Sequence, residues 1–278
     1  MLRALNGGAI HVPIHNLDDG IAACRIGGFD CLSMSPALVA GLSPEEIRDT
    51  LFDAFVAPGA WGVPFNWRGS QEEFNHGFEA MKEQTATLAE VGVTRCGTWI
   101  LPGSNELTLE QNHEFHFSRL EPIGKLLDDH GMILGLEFVG PKTLRNSFQH
   151  PFYYDLNGMY GFAKTLGTNV GLLVDAWHMY TSQSSLEDLA KISPERIALV
   201  HINDAPADVP VEQQVDHRRC LPCETGVIDM SGFMETLREI DYKGPVEVEP
   251  FDETLKDLAS DKERLEKTGR ALRKAFTC

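Results

Sequence analysis

The sequence predicts an α/β fold, a single (β/α)8 TIM barrel occupying residues 1–278, with its active site at the C-terminal ends of the strands. Three observations carry that expectation. Short apolar runs alternate with stretches of helical spacing eight times along the chain. Four of the later runs stop abruptly at a side chain able to ligate a metal: Met132 to Glu137, Gly171 to Asp175, Ile197 to His201 and Pro245 to Glu249. Finally, 278 residues with 42% hydrophobic content suffice for one large core.

Ala9 to Ile14 reads as the first strand, followed by a short helix from Asp18 to Ile26 that Gly27 and Gly28 stop. Phe29 to Met34 is the second strand. Ser43 and Pro44 open a helix to about Phe55, the serine as N-cap and the proline at the first helical position. The third strand lies within Val56 to Phe65, where two prolines and two glycines restrict it to a few residues and leave a loop over the site. Phe74, Phe78, Met81, Leu88 and Val91 mark a helix from Gln71 to Val91, closed by Gly92.

Val93 to Leu101 is the fourth strand, Leu109 to His130 a helix, and Met132 to Glu137 the fifth strand. The alternation continues through helix Tyr154 to Leu166, strand Gly171 to Asp175, helix Leu186 to Ile192, strand Ile197 to His201, helix Ser231 to Ile240, strand Val246 to Glu249 and helix Asp252 to Ala275. An open doubly wound sheet is the other arrangement such a pattern allows, but no Gly-x-Gly-x-x-Gly follows the first strand, so a dinucleotide site lacks support.

In a barrel of this kind Glu137, Asp175, His201 and Glu249 project from strands five to eight onto one half of the rim. Three carboxylates and one imidazole suit one divalent ion of hard to borderline character, Mn2+ first, with Mg2+, Co2+ or Zn2+ as the others. Four unrelated polar strand ends are the plainer reading; their occurrence on consecutive strands favours the metal. His178, three residues beyond Asp175, is expected in the loop entering the next helix, beside the ion and in contact with substrate.

Glu247 shares a strand face with Glu249 by the period of two. Glu249 is nearer the mouth and is taken as the ligand; Glu247 lies deeper and needs a hydrogen-bonding partner. Arg218 and Arg219 lie in the long loop after strand seven, where an arginine either clamps a substrate oxygen or is solvated. Among the tryptophans near strand ends, Trp99 and Trp177 are candidate apolar walls for a substrate, with packing the alternative role.

The net charge of −17 opposes nucleic acid, anionic membranes and polyphosphates, and favours a neutral or cationic small substrate. Six scattered cysteines do not form a disulfide scaffold, and Cys220-Leu-Pro-Cys223, despite its redox-like spacing, does not open a helix in a thioredoxin-like unit. The absence of a signal-like start or a long apolar run gives a cytoplasmic expectation.

Gly135-Leu-Glu-Phe-Val-Gly140, Val170 to His178, Val200-His-Ile-Asn-Asp204, Gly226-Val-Ile-Asp229 and Val246-Glu-Val-Glu-Pro-Phe251 together resemble the xylose isomerase-like barrel superfamily of sugar isomerases and epimerases, in particular its inosose isomerase and ketose 3-epimerase branch. The resemblance is close in the second half of the chain. It implies metal ligation by Glu137, Asp175, His201 and Glu249, catalysis by Glu137 and Glu249, and substrate contact by His178 and Arg218 or Arg219. The implied reaction is proton transfer on a keto-sugar or cyclitol through a metal-bound enediolate. A lyase of the same fold, a keto-sugar dehydratase or a 3-keto-glycoside β-eliminase, is the alternative. A homo-oligomer and a heteromeric subunit both stay open. One departure is Pro222-Cys-Glu-Thr-Gly226, where the superfamily commonly has Pro-Gly-x-Gly.

Overall fold

The first strand lies upstream of the apolar run that suggested it. In the computed structural model, which describes residues 1–278, β1 is Leu2–Leu5, whereas Gly8–Ile10 forms a 3-10 turn ended by His11 in the left-handed region. Ile10 and Val12 are buried in the core from that turn, so their alternation marks a packed loop. Four residues are too few to show a period of their own; β1 is specified by pairing with the far end of the chain, Ala4 beside Glu247.

The other strands follow the expected order: β2 (Cys31–Leu32), β3 (Ala57–Pro58), β4 (Trp61–Gly62), β5 (Arg95–Ile100), β6 (Gly103–Ser104), β7 (Ile133–Phe138), β8 (His150–Pro151), β9 (Val170–Asp175), β10 (Ile197–Ile202) and β11 (Pro245–Val248). Eight of them join β1 in one nine-stranded parallel sheet in the order β3-β2-β1-β11-β10-β9-β7-β5-β4, while β6 and β8 make a small antiparallel pair. The sheet's two ends, β3 and β4, come from one short segment, residues 57–62, with β3 on β2 and β4 on β5. That segment is the third stave, and it closes the (β/α)8 barrel.

Helices α1 (Leu17–Gly27), α2 (Pro44–Ala54), α3 (Gln71–Val91), α4 (Leu109–Asp128), α5 (Lys142–Arg145), α6 (Leu156–Leu166), α7 (Ala176–Ser182), α8 (Leu186–Leu189), α9 (Met230–Glu239) and α10 (Asp261–Thr277) complete the chain. Full capping boxes start α2, α3 and α4, through Ser43 with Glu46, Ser70 with Glu73 and Thr108 with Gln111. The last helix begins nine residues later than its apolar spacing suggests, because Glu253–Asp257 is a separate 3-10 turn and Ser260 is the true N-cap. Ten helices replace the expected eight. The additions are short and include α5 and α7, which directly follow strands that end at the site.

The strand period of two sorts the core into two layers. Leu134, Leu136, Leu172, Val174, Val200, Val246 and Val248 belong to the large cluster under the helices. On the opposite face, Leu173 and Leu199 meet Ala60 in a small separate cluster. Gly97 and Gly135 keep this interior narrow: a Cβ on Gly135 would stand 2.7 Å from Ala198 Cβ. Arg95 closes the opposite end by donating to the carbonyls of Ile197 and Ala198 at 2.7 and 2.9 Å. No helix is long and apolar enough to cross a membrane.

Candidate metal centre

Glu137, Asp175, His201 and Glu249 arrive at the barrel mouth on neighbouring staves, each two residues along its strand from an inward-facing Gly135, Leu173, Leu199 or Glu247. One ligand atom from each of the four lies within 4.8 Å of the others. His201 Nδ1 stands 3.2 Å from Glu249 Oε2, 3.3 Å from Glu137 Oε1 and 3.8 Å from Asp175 Oδ2. Glu137, His201 and Glu249 border a cavity of about 470 Å³ whose walls include Asn6, Ser33, Trp61 and Trp99, with Leu173 and Leu199 among its apolar lining.

The donor set fits a divalent cation. Glu137 Oε1 and both nitrogens of His201 are buried without a hydrogen-bond partner, an unfavourable state that a coordinated ion relieves. Charge points the same way. Burial pushes the Glu137 carboxyl up to about 7 despite His201 beside it, with Glu249 and Asp175 adding to the rise. Burial disfavours a charged His201, but Glu249, Glu137 and Glu247 outweigh it and lift the imidazole well above its ordinary proton affinity. Burial also works against ionised Glu249, yet His201 and Arg219 hold it down to about 2. The cluster thus draws protons onto itself, and a divalent ion competes for the same negative charge.

Asp175 is fully buried and serves two structures at once. Its Oδ1 accepts from His178 N at 2.9 Å as the N-cap of α7, while Oδ2 accepts from Asn203 Nδ2 at 3.0 Å and from Arg219 at 2.9 Å. The expected strand-end loop at His178 is therefore the first turn of a helix. The His178 ring is buried between two donors, Gly140 N at 3.2 Å and Arg219 Nη2 at 3.1 Å, and only one of these contacts is a hydrogen bond in any one tautomer. Burial lowers its pKa to about 4, so the ring is neutral.

The arginine pair is separated by the fold. Arg219 is buried, donates to Asp175, Glu249 and Asp216, and lies over the rings of Trp177 and Phe251 at 4.8 and 4.7 Å. Arg218 is exposed on the loop surface and takes no place on the cavity wall. The tryptophans divide similarly. Trp99 is 48% exposed and lines the cavity, its ring face 4.0 Å from the Arg68 guanidinium. Trp177 is fully buried beneath Arg219, away from the cavity, because the turn of α7 directs it into the core.

The loop from Asn203 to Gly226 is fixed by Asp204. This buried carboxylate accepts from the backbone N–H groups of Thr225, Gly226 and Ile228 at 2.7 to 3.0 Å, and Asp204 and Cys220 exchange backbone hydrogen bonds. Cys223 adopts φ +61° and Gly226 φ +74°. The loop thus keeps the left-handed geometry that glycine favours, and Cys220 and Cys223 are free thiols.

Asn6, Ser33 and Asp216 escaped the sequence reading. Asn6 and Ser33 follow β1 and β2, and misplacing β1 hid the first of them. An Asp three residues before Arg219 was the available signal for the third.

A family model described as xylose isomerase-like TIM barrel matches residues 14–275. The inosose isomerase of Bacillus velezensis is 26% identical over 246 residues, covering 85% of this chain and 84% of that protein. Among solved structures, a xylose isomerase domain protein from Alicyclobacillus acidocaldarius superposes with a TM-score of 0.86 at 24% identity, covering 99% of this chain and 98% of the other. The IolI protein, whose structure holds a zinc atom, superposes with a TM-score of 0.79 at 21% identity, covering 100% and 98%.

Proposed function

The chain belongs to the xylose isomerase-like TIM-barrel family, and from that premise we propose that it is a divalent-metal-dependent isomerase or epimerase of a keto-sugar or inosose. The observation that carries this reading is the convergence of Glu137, Asp175, His201 and Glu249 beside a cavity large enough for a small ring-shaped polyol. The inosose isomerase relative supports the substrate class. Mn2+ is our first choice of ion on the donor set, with Zn2+ next, since a structural relative holds zinc.

The four residues would hold the ion, which supplies positive charge to a substrate carbonyl and its neighbouring hydroxyl. Glu137 stands in the same cluster and is suited to take a proton from the adjacent carbon and return it; as a metal-bound carboxylate it would be a weak base, so acidification of that carbon by the ion would carry most of the acceleration. Glu249 remains ionised and reaches the site from just past the end of β11, three staves from Glu137 on β7, with β9 and β10 between them. Two carboxylates so separated address different faces of one carbon or two adjoining carbons. Arg219 fixes the orientation of Asp175 and Glu249, and Trp99 offers an apolar face to the substrate ring.

The test is incubation of the Mn2+-loaded protein in deuterated water with a panel of keto-sugars and inososes, followed by NMR. Deuterium entering one carbon of a substrate, dependent on the ion, is the expected result. No exchange with any member of the panel defeats the reading. An unsaturated product absorbing in the near ultraviolet moves the assignment to a lyase.

A further inference from the structure

Glu247 is an acidic side chain in the barrel interior that the proposed reaction leaves unused, only 1% exposed and two residues before Glu249. A carboxylate at that depth requires compensation. It receives donors from two staves: Ser33 Oγ donates to Oε1, and Asn6 Nδ2 donates to Oε2 at 3.1 Å. These hold the carboxylate in one orientation, with Oε2 turned toward β10. Parallel pairing of β10 with β11 sets His201 directly beside Glu247, and His201 Nε2 is 3.5 Å from Glu247 Oε2.

The imidazole is thereby placed between two kinds of carboxylate. Its Nδ1 faces Glu137, Asp175 and Glu249, whereas its Nε2 faces Glu247 alone. Neither nitrogen makes a hydrogen bond in this geometry, and Glu247 Oε2 at 3.5 Å is the one carboxylate oxygen that faces Nε2. A neutral imidazole carries one proton, and the nitrogen that keeps it cannot ligate. An acceptor fixed on the Nε2 side favours the tautomer protonated there and leaves the Nδ1 lone pair free.

We propose that Glu247 is a positioning residue, held by Ser33 and Asn6, that accepts the Nε2 proton of His201 and so presents Nδ1 to a divalent ion. The proposal rests on the four-residue metal reading above and adds to it a chain running from Ser33 and Asn6 through Glu247 to His201. Carboxylates in this relation to a ligating imidazole raise its basicity and fix its ring, and their removal weakens metal binding by about 10-fold to 100-fold.

Zn2+ alone is the probe. Its dissociation constant, measured by competition with a fluorescent chelator, is compared among the wild type, Glu247→Gln, Glu247→Met and Asp175→Asn. Gln retains the shape of Glu and a carbonyl acceptor, which guards against a folding failure, while Met removes the acceptor. The expected order is wild type tightest, Gln intermediate and Met weaker by about tenfold or more. In 15N spectra of the zinc-loaded, histidine-labelled protein, with His201 assigned through His201→Asn, the metal is expected on Nδ1 and the proton on Nε2. That proton should exchange faster in Glu247→Met. Ligation through Nε2, or wild-type affinity in both Glu247 variants, overturns the proposal. If Asp175→Asn alone loses the ion, the failure is confined to Glu247; if Asp175→Asn also binds as the wild type does, the metal reading fails with it.

Discussion

Asp175 and Arg219 form a buried ion pair at the barrel mouth, with the carboxylate Oδ2 2.9 Å from the guanidinium and both side chains at most 1% exposed. Arg219 also reaches Glu249 Oε2 at 3.1 Å and Asp216 Oδ1 at 2.9 Å. One cation thus offsets three carboxylates, two of them candidate ligands. Removing it while the acids remain leaves uncompensated buried charge, which costs about 3–5 kcal/mol. Arg219→Met is therefore expected to lower the melting temperature measured without added metal by roughly 10 °C. Saturating Mn2+ should recover more stability in the variant than in the wild type, because added positive charge partly replaces the guanidinium. Equal melting of the two metal-free proteins in calorimetry would contradict the electrostatic role of Arg219.

Glu137 combines an unpartnered buried oxygen with a proton affinity near 7. Glu137→Gln preserves shape and removes both the charge and the base. Solvent deuterium exchange into substrate should fall by at least about 10²-fold. Exchange at the wild-type rate would exclude Glu137 from the reaction.

Trp99 presents a half-exposed ring to the cavity, with the Arg68 guanidinium 4.0 Å from the ring centre. Trp99→Ala should raise KM about tenfold, the equivalent of ~1.4 kcal/mol of lost stacking and apolar contact, with kcat nearly unchanged. A fall in kcat at constant KM would assign the indole to the chemical step instead.

Phe55 caps α2 in the left-handed region at φ +57° and is 91% exposed. A side chain pays the backbone strain there and gains little packing in return. Phe55→Gly places the residue favoured at a helix end and should stabilise the protein by about 1 kcal/mol, raising the melting temperature by roughly 2–4 °C. An unchanged or lower melting temperature would mean that the ring makes a stabilising contact.

His116 lies in an aromatic cluster with Trp67, Phe115, Phe152 and Phe162, and its Nδ1 donates to the Asn112 carbonyl at 2.8 Å. Burial lowers its pKa from 6.5 to about 4. The unfolded chain takes up a proton below about pH 6.5 that the native state refuses until about pH 4. Its contribution to stability is therefore full above pH 6.5 and is lost as the pH falls through that window. Between pH 7.5 and 5 this single group removes about 2 kcal/mol. His116→Phe should lose correspondingly less stability over that interval in urea titrations, and equal losses would refute the assignment.

The sequence by itself determined the barrel class and the four strand-end side chains. Continuous apolar runs such as Leu172 to Val174 and Ala198 to Val200 are buried on both faces, and a polar residue ends such a run only where the strand emerges. That signal is local, so Glu137, Asp175, His201 and Glu249 were legible without coordinates. The N-cap of α2 was legible for the same reason, since Ser43 acts over three residues, on the Glu46 N–H.

Only the tertiary structure decided β1, the division of Arg218 from Arg219, the burial of Trp177 and the company of Glu247. Each depends on contacts between distant parts of the chain. β1 exists because β11, more than 240 residues away, hydrogen-bonds to it, and Glu247 is tolerated because Asn6 and Ser33 come round to meet it. Arg219 differs from its neighbour because Asp175, Glu249 and Asp216 converge on one of two adjacent side chains. Periodicity reports which face of an element is apolar; what stands opposite that face is fixed only when the barrel closes.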